Sequence, residues 1–284
     1  QDEIARRIAA ALSVELIGGH LARDFTGGLD SPGAWEHFLR GINYFYRMTK
    51  ADFLRAIPHF EALADAHPTS AIGPCYLAVM YLYAGKRHWE LAKNGDFARA
   101  EEWARQAIRF EDGNNGLGHA VLGALTLDRH QHAESLDFCR TAVAYRSSCP
   151  FAHGQMAITQ TYCGDPASAI KHVRNAISMR MLKPPPFELN ALAIAYRDHG
   201  DVELSIPAAS EAIRIDPDFL EAHVTLCTNL ALSGDEEGAN AVAQQIRTLD
   251  PEFRVSTYVT NLPYRDAEMT NRIGDALRAT GLQD

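Results

Sequence analysis

GDVELSIPAASEAIRIDP occupies residues 200–217, and GDEEGANAVAQQIRTLDP occupies residues 234–251. Both stretches open on Gly-Asp, run through an amphipathic middle and close on Ile-Asp-Pro or Leu-Asp-Pro, and they lie 34 residues apart. Pro150 and Pro184 repeat the 34-residue interval, and Gly164-Asp165-Pro166 opens another helix of the same kind. The punctuation follows from backbone chemistry. Glycine supplies the left-handed conformation that ends one helix, aspartate caps the free N–H groups of the next, and Pro166 stands where no donor is required. A period of this length signals a repeat fold, in which two-helix hairpins bury their apolar faces by stacking on neighbours.

Six repeats can be placed, near residues 34–68, 71–111, 116–149, 150–183, 186–219 and 220–251. Gly41, Tyr44, Ala56, Phe60 and Pro68 mark the first, which carries about three extra loop residues; Leu192, Ala193, Tyr196 and Ala212 mark the fifth. The third replaces the turn glycine with His130, and the second inserts about ten residues from Gly85 to Gly95, read as an elongated helical extension. Pro58 and Pro207 fall inside second helices, where each removes a hydrogen bond. On these residues the chain resembles the tetratricopeptide repeat family. That resemblance implies an all-α fold, a right-handed superhelical solenoid of about six helix pairs. Residues 1–17 read as an amphipathic helix with Ile4, Ile8, Leu12 and Leu16 in line, 18–33 as a glycine-containing linker, and 252–284 as a capping segment with a helix over Asp266 to Thr280.

A 46% hydrophobic content is ample for a core, and a formal charge of −9 argues against a nucleic-acid surface, which needs clustered Lys and Arg. No apolar run approaches the roughly 20 residues that span a bilayer. Five cysteines, an odd number with no Cys-x-x-Cys, point to a reducing, cytoplasmic setting. The chain opens on a helix-like Gln1-Asp-Glu-Ile rather than a charged-then-apolar leader, and is expected to be part of a longer protein.

Catalytic chemistry finds no foothold. There is no Gly-x-Ser-x-Gly elbow, no phosphate-cradling glycine loop, and no strand run to carry metal-binding aspartates. The twelve histidines include His130 and His132 beside a turn, but none has a partner at a zinc-finger or His-Glu-x-x-His interval, so no metal site and no cofactor are expected. His119, His153 and His223 share repeat position 4 and are expected to pack between helices.

In the family it resembles, the first helix of each hairpin lines the concave surface. Carried onto this sequence, that surface takes Trp35, Phe38, Ile42 and Phe45 from the first repeat and Tyr76, Val79 and Tyr83 from the second. The fourth contributes Phe151, Gln155 and Tyr162, and the fifth Phe187, Asn190 and Arg197. The Lys and Asn clamp of chaperone-tail receptors is missing. Rings and aliphatic groups suit a protein or peptide partner, in particular an amphipathic helix laid into the groove. The same residues serve equally as core. The stripe has two further candidate occupants: residues 1–17 folded back on it, or a second copy paired through that helix as a homodimer.

The opening Gln1-Asp-Glu-Ile-Ala-Arg-Arg-Ile, Phe38-Leu-Arg-Gly41, and the closing Leu262-Pro-Tyr-Arg-Asp266 and Leu277-Arg-Ala-Thr-Gly-Leu282 resemble the C-terminal repeat regions of bacterial class III adenylate or guanylate cyclases. That resemblance implies a non-catalytic regulatory domain in cyclic-nucleotide signalling. The alternatives are the sensor domain of a winged-helix transcriptional regulator and a small-molecule receptor.

Overall fold

The computed structural model describes residues 29, 31–110, 116–180 and 183–284. The amphipathic helix expected over 1–17 and most of the linker expected over 18–33 lie outside these residues. Among the described residues there are fourteen helices and no strand. Twelve alternate as hairpins: α1 (Pro32–Phe45) with α2 (Lys50–Ala66), α3 (Ile72–Lys86) with α4 (Asp96–Ala107), α5 (Gly116–Asp128) with α6 (His132–Tyr145), α7 (Pro150–Tyr162) with α8 (Pro166–Ser178), α9 (Pro186–His199) with α10 (Val202–Ile215), and α11 (Leu220–Ser233) with α12 (Glu236–Leu249). A short α13 (Val255–Thr260) and α14 (Ala267–Ala279) complete the order. The all-α, helix-pair architecture that the 34-residue spacing predicts is the one found.

The turns work as their residues require. Gly164, Gly200 and Gly234 have φ of +90, +101 and +83°, the left-handed region open to glycine. His130 takes the same place after α5 with φ +59°. Asp165 accepts from the Ser168 amide at 3.1 Å and Asp235 from the Gly238 amide at 2.9 Å, capping α8 and α12. Asp201 makes no such cap on α10. At the other end of the repeat, Asp250 accepts from the Glu252 amide at 3.0 Å, so the Asp-Pro close is a side-chain-stabilised turn. Pro58 and Pro207 lie inside continuous helices, α2 and α10.

The insertion after α3 differs from expectation. Residues 87–95 form no helix. His88 and Glu90 both have positive φ, and the Asp96 carboxylate, placed at the start of α4, accepts from the Leu91 and Ala92 amides at 3.1 and 2.7 Å. Trp89 turns inward against Phe53 and Tyr83, with ring centroids 5.4 Å from each. Burying an indole gains more than extending an isolated polar helix would.

The chain divides into two compact units. One comprises Gln1–Leu125, Asp137–Ala152 and Met179–Leu182; the other comprises Thr126–Leu136, His153–Ser178 and Lys183–Asp284. The first has a ring-rich core built on Phe38, Phe53, Phe60 and Tyr76. Helices α2 and α3 touch there: a Cβ built on Gly73 would sit 2.7 Å from the Phe60 carbonyl oxygen and 2.8 Å from the Ala64 nitrogen.

The second unit has a core of smaller side chains crossed by hydrogen bonds at a fixed interval. Ser135 Oγ meets Thr159 Oγ1 at 3.1 Å, and Asn229 Nδ2 donates to Ser205 Oγ at 2.5 Å, each pair 24 residues apart. Between them in the chain, Ala169 and Ala193 stand at the same interval and carry no polar group to pair.

Gly73→Ala drives a methyl group into backbone and should destabilise the chain by about 1–3 kcal/mol. Gly33→Ala, whose Cβ meets nothing within 4 Å, should change stability by no more than about 1 kcal/mol. Urea unfolding followed by circular dichroism measures both.

Candidate functional site

Helices α1 and α3 bring the ring-bearing residues of the first unit into one continuous set. Phe38 and Tyr76 are only 1% and 2% exposed, and Ile42 and Val79 are also buried. Tyr76 stacks on Phe60 at 4.8 Å and receives Phe38 and Phe45 edge-on at 6.0 and 5.3 Å. Phe45 stacks on Phe53 at 5.8 Å, which leads to Tyr83 at 5.6 Å. The stripe is therefore not an open row of rings. Phe38, Ile42, Tyr76 and Val79 form its floor, while Trp35, Phe45 and Tyr83 are only half-buried. Phe151, from the start of α7, is likewise half-buried against the same core.

Tyr46, just past α1, joins this edge through its ring contact with Phe45 at 5.5 Å. Burial pushes its phenol up to about 12, against the opposing pull of the Arg180 and Arg146 charges. Burial likewise raises Tyr76 well above the ordinary phenol value. Both hydroxyls are neutral at any physiological pH, so neither phenol adds a negative charge to this edge.

The predicted residues of the second unit are arranged differently. Gln155 and Asn190 are buried, and Asn190 Oδ1 has no hydrogen-bond partner among the described residues. Phe187 is half-buried beside Leu189 and Phe219. Arg197 lies within the protein, with its side chain 5% exposed, paired through Nε to Asp198 at 2.8 Å. Tyr264 completes the group: its hydroxyl accepts from Arg197 Nη2 at 2.6 Å and donates to Asp198 Oδ2 at 2.5 Å.

Burial works against the Arg197 charge, but the Asp198 carboxylate beside it more than offsets that, and the guanidinium stays firmly protonated. Burial raises the Tyr264, Tyr162 and Tyr258 phenols, which remain neutral. A buried ion pair is costly unless its remaining hydrogen-bonding capacity is met, and one phenol bridging both ions meets part of it.

Tyr264 arrives on residues 261–266, the connection between α13 and α14. This segment is fastened at two further places: the Arg265 amide donates to the Tyr162 carbonyl at 2.9 Å, and His132 Nε2 lies 2.8 Å from the Pro263 carbonyl. The Tyr162 and Tyr264 rings meet edge-to-face at 4.6 Å. Two residues that the repeat pattern assigns to a partner, Tyr162 and Arg197, are thus contacts of the chain's own C-terminal segment. Sequence reading missed Tyr264 because a single tyrosine 67 residues from Arg197 leaves no periodic signal. The inward packing of Trp89 against Phe53 and Tyr83 carries no periodic signal either, because the residue lies in an insertion that breaks the repeat and reads as a solvated extension.

Among the described residues no three His, Cys, Asp or Glu side chains converge as a metal site, and no helix is long and apolar enough to cross a membrane. Cys75, Cys139, Cys149, Cys163 and Cys227 are free thiols.

Solved structures with the same arrangement of helix pairs place the fold. The APC/C hetero-tetramer Cut9-Hcn1 matches with a TM-score of 0.60 at 13% identity, over 95% of this chain and 46% of that one. PilW, a widely conserved type IV pilus biogenesis factor, matches at 0.51 with 14% identity over 73% and 88%. The fold is a tetratricopeptide-type helical array. A thermophilic TPR protein from Thermus thermophilus is similar at 0.49, with 16% identity over 69% and 98%. At such identities the likeness concerns the fold, and the present array spans less than half of the Cut9-Hcn1 chain. No protein-family model matches the sequence, and no curated protein matches it either.

Tyr264→Phe removes the hydroxyl that bridges a buried ion pair and should lower stability by about 1–3 kcal/mol. Asp198→Ala, which strands the Arg197 guanidinium, should cost about 3–5 kcal/mol. Denaturant midpoints of the two variants against the parent chain give both numbers.

Proposed function

We propose that this chain is a non-catalytic protein-interaction scaffold, and that its partner surface is the half-buried ring edge of the first unit: Trp35, Phe45 and Tyr83, with Phe151. The observation that carries this reading is the contrast between the two units. Tyr162 and Arg197 are engaged by residues 261–266, whereas the ring edge of the first unit keeps partly exposed aromatic area over a rigid buried floor. Rigid rings beside a packed core are the usual anchors of a binding surface, because they lose little conformational entropy when covered. The fitting partner is an amphipathic helix with an apolar face for the rings; the net charge of −9 favours basic residues on its other face.

The wider role follows from the resemblance of Phe38-Leu-Arg-Gly41 and Leu262-Pro-Tyr-Arg-Asp266 to cyclase-linked repeats. On that basis the scaffold regulates a class III nucleotide cyclase in the cytoplasm through protein contacts, and residues 1–17 are the route by which two copies would associate.

Fluorescence anisotropy with a labelled amphipathic helical peptide, leucine and tryptophan on one face and lysine on the other, tests the surface. Trp35→Ala and Tyr83→Ala should each weaken binding by about tenfold or more, since a ring anchor contributes about 2 kcal/mol. Unchanged affinity in both variants, with helix content retained, rejects the ring edge. Adding the chain to a purified class III cyclase catalytic domain should alter the rate of cyclic-nucleotide formation; an unchanged rate at saturating chain rejects the regulatory role.

A further inference from the structure

Two hairpins, one in each compact unit, hold a pair of histidines with their Nδ1 atoms opposed and their rings tilted by 53° and 32°. His37 on α1 and His59 on α2 place their Nδ1 atoms 3.1 Å apart; His153 on α7 and His172 on α8 place theirs 2.8 Å apart. These are the same two places in the repeat. The second pair is separated by 19 residues and the first by 22, the difference being the three extra residues of the first repeat. His119 and Phe138 occupy these places in the third hairpin, again 19 residues apart, and their rings also meet, at 6.3 Å. The repeat geometry therefore brings two rings together at these positions, and in two hairpins both rings are imidazoles.

Two nitrogens bound to one metal at about 2.0–2.1 Å, with an angle between 90° and tetrahedral, lie about 2.9–3.4 Å apart. The first separation, 3.1 Å, lies inside that range and the second, 2.8 Å, just below it. Imidazole is the commonest protein ligand for late first-row divalent ions, through either ring nitrogen.

We propose that each histidine pair is a two-ligand binding site for a borderline divalent transition-metal ion such as Zn(II) or Ni(II), which pins the two helices of its hairpin together. Water completes each shell, because no third protein ligand converges on either pair among the described residues. The first pair has Glu36, Arg40 and Tyr44 around it, and the second has Asp165. Affinity is accordingly below that of a closed four-ligand structural site. The ion replaces the single shared proton between the Nδ1 atoms, and that proton moves to the outer ring nitrogen, so each imidazole stays neutral.

Equilibrium dialysis of the full chain against zinc chloride or nickel chloride, with bound metal measured by mass spectrometry, tests this. The parent chain should bind about two ions, His59→Phe and His172→Phe about one each, and the double variant none at the same free metal. Phenylalanine is the residue that the third hairpin carries natively at this place, so packing is preserved. His172→Gln keeps a hydrogen-bonding group opposite His153 but removes a strong ligand, and should lose metal with little loss of stability. Nickel should also raise the melting temperature of the parent and leave that of the double variant unmoved. A parent chain that takes up no metal, or a folded double variant that still binds two ions, overturns the proposal.

Discussion

Paired helices in this protein meet through methyl groups and bare backbone, and the rest of the architecture depends on how close that lets them come. Ala56, Ala104, Ala142, Ala176, Ala212 and Ala243 recur along the second helices and are all fully buried. Gly73 lets α3 lie directly on the backbone of α2. Small residues at such crossings leave only a narrow interior, so larger side chains are pushed to the margins of each hairpin, where they stack on the next one.

That arrangement explains why two compact units with the same backbone plan have different interiors. In the first, the margins are filled by rings, from Trp35 through Phe45 and Phe53 to Trp89, and burial holds the Tyr46 and Tyr76 hydroxyls among them neutral. In the second, the margins are filled by aliphatic residues interrupted by Ser135, Thr159, Ser205 and Asn229, whose hydrogen bonds run from the second helix of one hairpin toward the first helix of another. The buried Arg197–Asp198–Tyr264 group extends this polar interior. A margin of neutral rings and a core crossed by polar contacts are different materials built on one repeat.

Much of the fold could be read directly from spacing. The glycine turns, the Asp-Pro closes and even the substitution of His130 for glycine are local events, fixed by a residue and its near neighbours, and they appear where the sequence puts them. Asp201 is the exception among the caps, standing in the right place without making the bond. The candidate site was less legible. Helical periodicity says which residues share a face, but it does not say whether that face is covered, and Phe38 and Tyr76 prove to be floor rather than surface. The contact that covers Tyr162 and Arg197 comes from residues 261–266, a segment with no periodic relation to the helices it touches. Trp89 illustrates the same limit, since an insertion obeys no repeat and its tryptophan settles wherever apolar area is nearest.

The hydrogen bonds spaced 24 residues apart carry a consequence for how this chain can evolve. Ser135 finds Thr159 and Ser205 finds Asn229, while the intervening Ala169 and Ala193 match each other in being apolar. The third hairpin is thus keyed to the fourth and the fifth to the sixth: a duplicated or transposed repeat would set Thr159 or Asn229 against a methyl group in place of its hydroxyl partner, while Ser205 would keep its bond to the Ala193 carbonyl. The array is a sentence with a word order, and lengthening it by simple copying would first require rewriting the joints.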